Sequence, residues 1–222
     1  MDENMKSVVL NRINRTATAL KNNNMEFHYA ESKIEVLTIV SNLLKTGDVI
    51  ATGGSVTLKE CGVIDYLKSD KYKFLDQSAI DTDRMDQLYR ASFTADAYLC
   101  SANAITENGE LYNVDGNSNR IAAICYGPKS VIIVVGYNKI VRNLDEAINR
   151  VKNICAPANS QRLTCATYCY EKGQCLAYKK ENPSITDGCD SDSRICCNYL
   201  ISAHQRIKDR IKVIIVGEKL GY

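Results

Sequence analysis

Residues 95–141 read ADAYLCSANAITENGELYNVDGNSNRIAAICYGPKSVIIVVGYNKIV, and the fold turns on this stretch. Its apolar opening, Ala97 to Cys100, and its later run, Ser130 to Val135, have the near-continuous hydrophobic character of buried strands. Between them, Asn108-Gly109 separates two alternating runs, Asn103 to Glu107 and Glu110 to Val114. That pattern predicts a β-hairpin closed by a type I′ turn, whose central positions both need positive φ. A polar cluster, Asp115-Gly116-Asn117-Ser118-Asn119-Arg120, follows at once, and Gly127-Pro128 marks a further turn. Asn103, Glu107, Asp115, Asn119 and Arg120 are therefore crowded at strand ends and tight turns, where a rigid sheet presents its binding groups.

Outward from this stretch the pattern alternates. Helical spacing of apolar residues predicts helices over Met5–Asn23, Ser32–Lys45, Thr57–Lys68, Thr82–Phe93 and Leu144–Ile154. Ser32 with Glu35 forms a capping-box pattern at the start of the second of these. Short apolar segments at Glu26–Ala30, Asp48–Ala51, Tyr72–Leu75 and Lys212–Val216 read as further strands. Alternating β and α with buried strands predicts an α/β fold with a mostly parallel, doubly wound sheet, the hairpin adding to one edge or end. A length of 222 residues suits one domain, 1–222, with a Cys-rich segment at 155–198 inside it.

Composition narrows the function classes. A formal net charge of +2, with Lys and Arg interleaved among acids, leaves no basic stripe for nucleic acid. The longest fully apolar run, Val131 to Val135, is too short for a membrane span. The start MDENMKSVVLNRINR lacks the apolar core of a signal peptide, so a cytoplasmic location is expected. Neither Gly-x-Gly-x-x-Gly nor a Walker A sequence is present, so there is no NAD or ATP motif. A Gly-x-Ser-x-Gly elbow is also missing, and the two histidines, His28 and His204, have no partner at catalytic spacing.

Three elements can carry chemistry. Thr52-Gly53-Gly54-Ser55 lies between a predicted strand and helix, where backbone amides can meet an anion; a plain tight turn uses glycine equally well. Arg120, flanked by Asp115 and Asn119, can offer a planar fork to a carboxylate or phosphate, or can fix its own loop through Asp115. Ten cysteines are present, seven of them between Cys155 and Cys197. Without a secretory signal, such a cluster suggests metal or redox use before disulfides. Four thiolates can hold zinc or an iron–sulfur cluster; free thiols are the plain alternative. Cys61, Cys100 and Cys125 sit in apolar elements and are expected in the core.

The runs TENGELYNVDGNSNR, ATGGSVTLKECG (Ala51–Gly62) and VIIVGEKLGY (Val213–Tyr222) together resemble the lactate-utilisation, or LUD-domain, proteins. The resemblance spans roughly Met5 to Tyr222. It implies the fold shared by ribose-phosphate isomerases, glucosamine-phosphate deaminases and class I CoA transferases, and a role in organic-acid metabolism. Glu107, at the head of the hairpin, is similar to the nucleophilic glutamate of the CoA transferases; proton abstraction is the isomerase use, and a plain polar hairpin residue the third reading. The candidate ligand-binding set is Gly53, Gly54, Ser55, Asn103, Asp115, Gly116, Asn119, Arg120 and Gly127. The Gly53 loop, Asn103 and the Asp115–Arg120 loop are expected around one crevice at strand carboxyl ends. Strand alternation puts Glu107 on the inward face with Asn103 and Ile105, projecting into that crevice. Cys169-x5-Cys175-x13-Cys189-x6-Cys196 resembles a four-cysteine segment of one LUD branch, here with the insert Leu176–Gly188. A small anionic ligand is the expected partner, with proteins of a lactate-oxidising system and a second copy of the chain as further candidates. The alternative is a non-catalytic metal- or iron–sulfur-carrying partner of such a system.

Overall fold

Alternate residues of the apolar run at 131–135 face opposite ways, and that alternation separates two hydrophobic layers. Val131, Ile133 and Val135 pack into one buried cluster, Ile132 and Val134 into the other. The computed structural model describes residues 1–222. In chain order its elements are α1 (Glu3–Asn22), β1 (Glu26–Ala30), α2 (Glu35–Leu43), β2 (Val49–Thr52), α3 (Val56–Glu60), α4 (Val63–Leu67) and β3 (Lys73–Leu75). Then come α5 (Met85–Ala91), β4 (Ala97–Cys100), β5 (Ala104–Thr106), β6 (Leu111–Asp115), α6 (Asn119–Tyr126), β7 (Ser130–Gly136) and β8 (Ile140–Val141). The chain ends with α7 (Leu144–Arg150), α8 (Ala156–Leu163), α9 (Tyr168–Lys172), β9 (Asn198–Ser202) and β10 (Ile211–Val216).

Six strands form a fully parallel sheet in the order β1-β10-β7-β4-β2-β3. Helices cover both faces, as sheets of this kind require. One face carries α1 and α6 through Val9, Ile13, Leu20, Ala123 and Ile124. The other carries α2, α3 and α4 through Val36, Val40, Leu58, Val63 and Leu67. From β2 the chain steps outward to β3, then returns to β4 and runs the other way through β7 and β10. The strand order thus reverses between β2 and β4, and a crevice opens beyond their carboxyl ends, where open α/β sheets bind ligands.

The hairpin is not an edge addition to this sheet. It forms the middle of a separate four-stranded sheet, β8-β5-β6-β9. Ile105 and Leu111 point to the layer under α1, while Ala104, Tyr112 and Val114 point to α7 and α8. Its turn also departs from the expected type. Only Gly109 has positive φ (78°), and Thr106 N donates to Glu110 O while Gly109 N donates to Thr106 O, each at 2.9 Å. This is a three-residue connection ending in a left-handed glycine, the geometry of a type I turn with a G1 bulge.

Three helices differ from expectation. The segment predicted as Thr57–Lys68 is two short helices broken at Gly62. Helix α2 starts at Glu35 without a side-chain cap; the Glu35 carboxylate instead accepts from Glu31 N at 2.9 Å, so Ser32 is not its cap. The helix predicted to stop at Ile154 continues through a π-helical turn, Val151–Cys155, into α8. Pro157 supplies the cause, since it has no N–H to bond back and its ring crowds the preceding turn.

Candidate functional site

The main cleft, about 480 Å³, lies at the reversal point of the large sheet. Every strand around it contributes its carboxyl end: Gly54, Ser55 and Thr57 follow β2, Gln77 follows β3, Ser101 to Asn103 follow β4, Lys139 follows β7 and Tyr222 follows β10. The second sheet supplies Val114 and Asp115, and the segment Asp192–Ile195 closes another side.

Asp115 and Arg120 organise the cleft from within. Asp115 is 8% exposed; its Oδ1 accepts from Arg120 Nε at 2.8 Å and its Oδ2 from Ile121 N at 2.8 Å, at the start of α6. The other Arg120 donors reach Ser101 O and Asn113 Oδ1, each at 2.9 Å, Asn103 Oδ1 at 2.9 Å and Val114 O at 2.8 Å. Asn103 Oδ1 also accepts from Val114 N at 2.9 Å, so this one amide ties β4's exit to β6. A Cβ at Gly53 would sit 3.0 Å from Arg120 Cδ and 2.9 Å from the Tyr98 hydroxyl, so Gly53 leaves the room through which Arg120 passes. Of the two readings of this loop, the internal ion pair is the one built; the fork is fully occupied.

Sequence reasoning missed the floor of the cleft. Lys139 is 2% exposed, yet it lines the cleft, and its Nζ donates to Thr57 Oγ1 and Ser101 Oγ, each at 3.0 Å. Burial, then the neighbouring Arg150 cation, pulls the Lys139 ammonium down to about 8. Arg150 is itself 8% exposed and donates through Nη1 to Asn103 O at 2.6 Å and towards Cys155 Sγ at 2.7 Å. Neither Lys139 nor Arg150 forms a salt bridge. Cys155 closes the π-helical turn and also lines the cleft; burial pushes its thiol up, against the pull of Arg150 and Lys139. Tyr222 lines the cleft too, and its hydroxyl is buried without a hydrogen-bond partner. For Lys139 and Arg150 the nearest sequence signal is Pro157, which marks the irregular helix; Cys155 and Tyr222 lie in stretches that the sequence singles out, but nothing there places them at the cleft.

Among the residues singled out from sequence, Gly54, Ser55, Asn103, Asp115, Gly116, Asn119 and Arg120 meet on the cleft. Gly127 does not; it ends α6 at the far pole, where a Cβ would lie 2.6 Å from Ala123 O. Glu107 does not enter the cleft either. Its carboxylate takes Arg12 Nε at 2.7 Å and Arg15 Nη2 at 2.9 Å, both from α1. The alternation that put Glu107 beside Ile105 on an inward face holds, but the inside it faces is α1. The nucleophile geometry expected of Glu107 is therefore absent.

The four-cysteine site is not assembled. All ten cysteines are free, and no group of three or more His, Cys, Asp or Glu side chains is placed to share a metal ion. Cys169 is buried against Thr167, whose hydroxyl lies 3.3 Å from its sulfur. Cys175 and Cys196 line a separate apolar pocket with Tyr112, Ile148 and Ile185, and Cys189 is half-buried. These thiols do not present the tetrahedral donor set that zinc or a cluster needs. Of the three cysteines expected in the core, Cys61 and Cys100 are buried, while Cys125 is exposed on α6, which turns Ala123 and Ile124 inward.

No helix is long and apolar enough to cross a membrane. Among curated proteins, none matches the chain. A DUF162 family protein from Deinococcus radiodurans shares the fold, with a TM-score of 0.53 at 14% identity, covering 94% of this chain and 98% of that one. The LUD domain family model matches residues 13–216, and the chain belongs to that family, which is associated with lactate utilisation.

Proposed function

We propose that the cleft binds a small anionic ligand, a carboxylate, a phosphate or a CoA-like group, in organic-acid metabolism of the lactate-utilisation type. One observation carries this reading: Lys139 is buried at the cleft floor with only hydroxyls hydrogen-bonded to its Nζ and no carboxylate in salt-bridge contact, Glu60 acting on it only from a distance. A buried cation without a contacting counter-charge is costly, and an anion entering the cleft supplies one. Arg150, equally without a carboxylate, adds to the positive field from behind. The Tyr222 hydroxyl offers a further donor. The position fits the general rule for ligands in open parallel sheets. The isomerase/CoA-transferase likeness remains a guide to fold; the place of Glu107 gives it no support as chemistry.

Titration calorimetry at low ionic strength with lactate, pyruvate, phosphate and CoA tests the reading. At least one should bind, and Lys139→Met should weaken that binding by roughly 30-fold or more, the effect of about 2 kcal/mol for a lost buried charge partner. Equal affinity in the variant, or no binding of any of these anions, would overturn it.

A further inference from the structure

Lys139 ends in an unusual place for a lysine. Long basic side chains normally carry their head to water or to a carboxylate. This one turns inward just past the carboxyl end of β7 and stops between Thr57 Oγ1 and Ser101 Oγ. Both hydroxyls belong to residues less than one-tenth exposed, and both line the cleft. A hydroxyl accepts from an ammonium, and by rotating it can donate to a neutral amine. The pair therefore satisfies Nζ in either protonation state, which a carboxylate would not do. Burial, then the charges of Arg150 and Arg120, disfavour the ammonium and outweigh the opposing pull of Cys155 and Glu60. A desolvated lysine beside a second cation is a recognised way to make an amine nucleophilic.

We infer that Lys139 condenses with the carbonyl carbon of a 2-oxo acid held in the cleft, forming a covalent imine. The inference rests on the anion-binding reading above and adds the substrate class. The carboxylate of such an acid meets the positive field, and Arg162, on the cleft wall, keeps part of that field once Lys139 has lost its proton. The lone pair of neutral Nζ attacks the carbonyl carbon; a C–N bond forms and the C=O π pair moves to oxygen. That oxygen takes a proton from the Ser101 or Thr57 hydroxyl, which recovers one from Nζ, giving a carbinolamine. With one further proton from solvent the C–O bond breaks, water leaves, and the protonated imine remains. No oxidant or reductant is consumed. The cationic imine then withdraws electrons from the neighbouring C–H or C–carboxylate bond.

Borohydride trapping tests the step. The protein is incubated with pyruvate, 2-oxobutyrate, glyoxylate or 2-oxoglutarate, reduced, digested and mapped by mass spectrometry. The expected product is one adduct, the mass of the acid less one oxygen, on the peptide holding Lys139. Trapping should rise as pH passes through about 8, where the Lys139 amine loses its proton. Lys139→Arg keeps the charge but cannot form an imine, so it should still bind the anion by calorimetry while the adduct disappears. Anion binding with no enrichment of adduct at Lys139 in the native chain would overturn the imine and leave the anion site. Absence of both would remove both. The peptide map of the native chain decides the matter even if the variant fails to fold.

Discussion

At Arg120 all five guanidinium N–H groups end on oxygens of the chain itself, drawn from Asp115, Ser101, Asn113, Asn103 and Val114. From sequence alone, an arginine between Asp and Asn serves a ligand or its own loop equally well. The deciding quantity is the number of acceptors that tertiary structure brings within reach, and two of them arrive from the end of β4. The consequence can be measured. Arg120→Lys retains a charge but loses the fork, and three or more charged hydrogen bonds to buried acceptors go with it. A loss of about 3 kcal/mol in urea unfolding is expected, given roughly 1.5–3 kcal/mol for a hydrogen bond to a charged group and partial recovery by lysine. Combined with Asp115→Asn, the effect should be clearly less than additive, because both changes break one network. Additive effects would show that the two residues act apart.

Among the elements, the hairpin shows how a local signal can be right in kind and wrong in detail. Asn-Gly marks the hairpin, but the turn type depends on what lies against it. A Cβ at Gly109 would stand 2.7 Å from Ala19 C and 2.8 Å from Leu20 N, so α1 presses on the turn. Gly47 also has positive φ, 90°, with nothing within 4 Å of its Cβ position. Gly47→Ala therefore reports left-handed strain alone, while Gly109→Ala adds a backbone clash. The second should cost roughly 1–3 kcal/mol more in thermal unfolding, the usual scale of overpacking. Equal losses would mean that α1 does not seat on the turn. The six parallel strands were legible because burial on both faces leaves continuous apolar runs. The second sheet was not, since β8 has two residues and β9 pairs with β6 across a long stretch of chain, Tyr199 facing Val114. Helix α6 was hidden by its polar start and its length of eight residues. The cleft followed the same division. Its turn residues could be read, because glycine, asparagine and aspartate at strand ends have local causes. Lys139 could not, because a lysine in GYNKIV becomes a buried cation only when β2 and β4 close over it.

At the scale of the whole molecule, Glu107 joins the second sheet to α1 on the outer layer of the first. Its carboxylate bridges Arg12 and Arg15, with 20% of the side chain exposed. Burial alone would raise its pKa, but the hydrogen bonds and charges of the two arginines outweigh this and hold it below its ordinary 4.5. A carboxyl depressed on folding adds stability that is fully present above its unfolded value and is lost as pH falls through the folded value. The native chain should therefore be more stable than Glu107→Gln at neutral pH. The gap between them should begin to narrow below about pH 4.5 and close in stronger acid. Hydrogen exchange should show where the loss occurs, with faster opening of the 104–115 hairpin and the first half of α1 in the variant. Because Glu107 stands outside the cleft, Glu107→Gln should bind anions and form the borohydride-trapped adduct as the native chain does. A variant with native stability and a disabled cleft would reverse this assignment, returning Glu107 to the chemistry and leaving the contact between the two sheets to apolar packing alone.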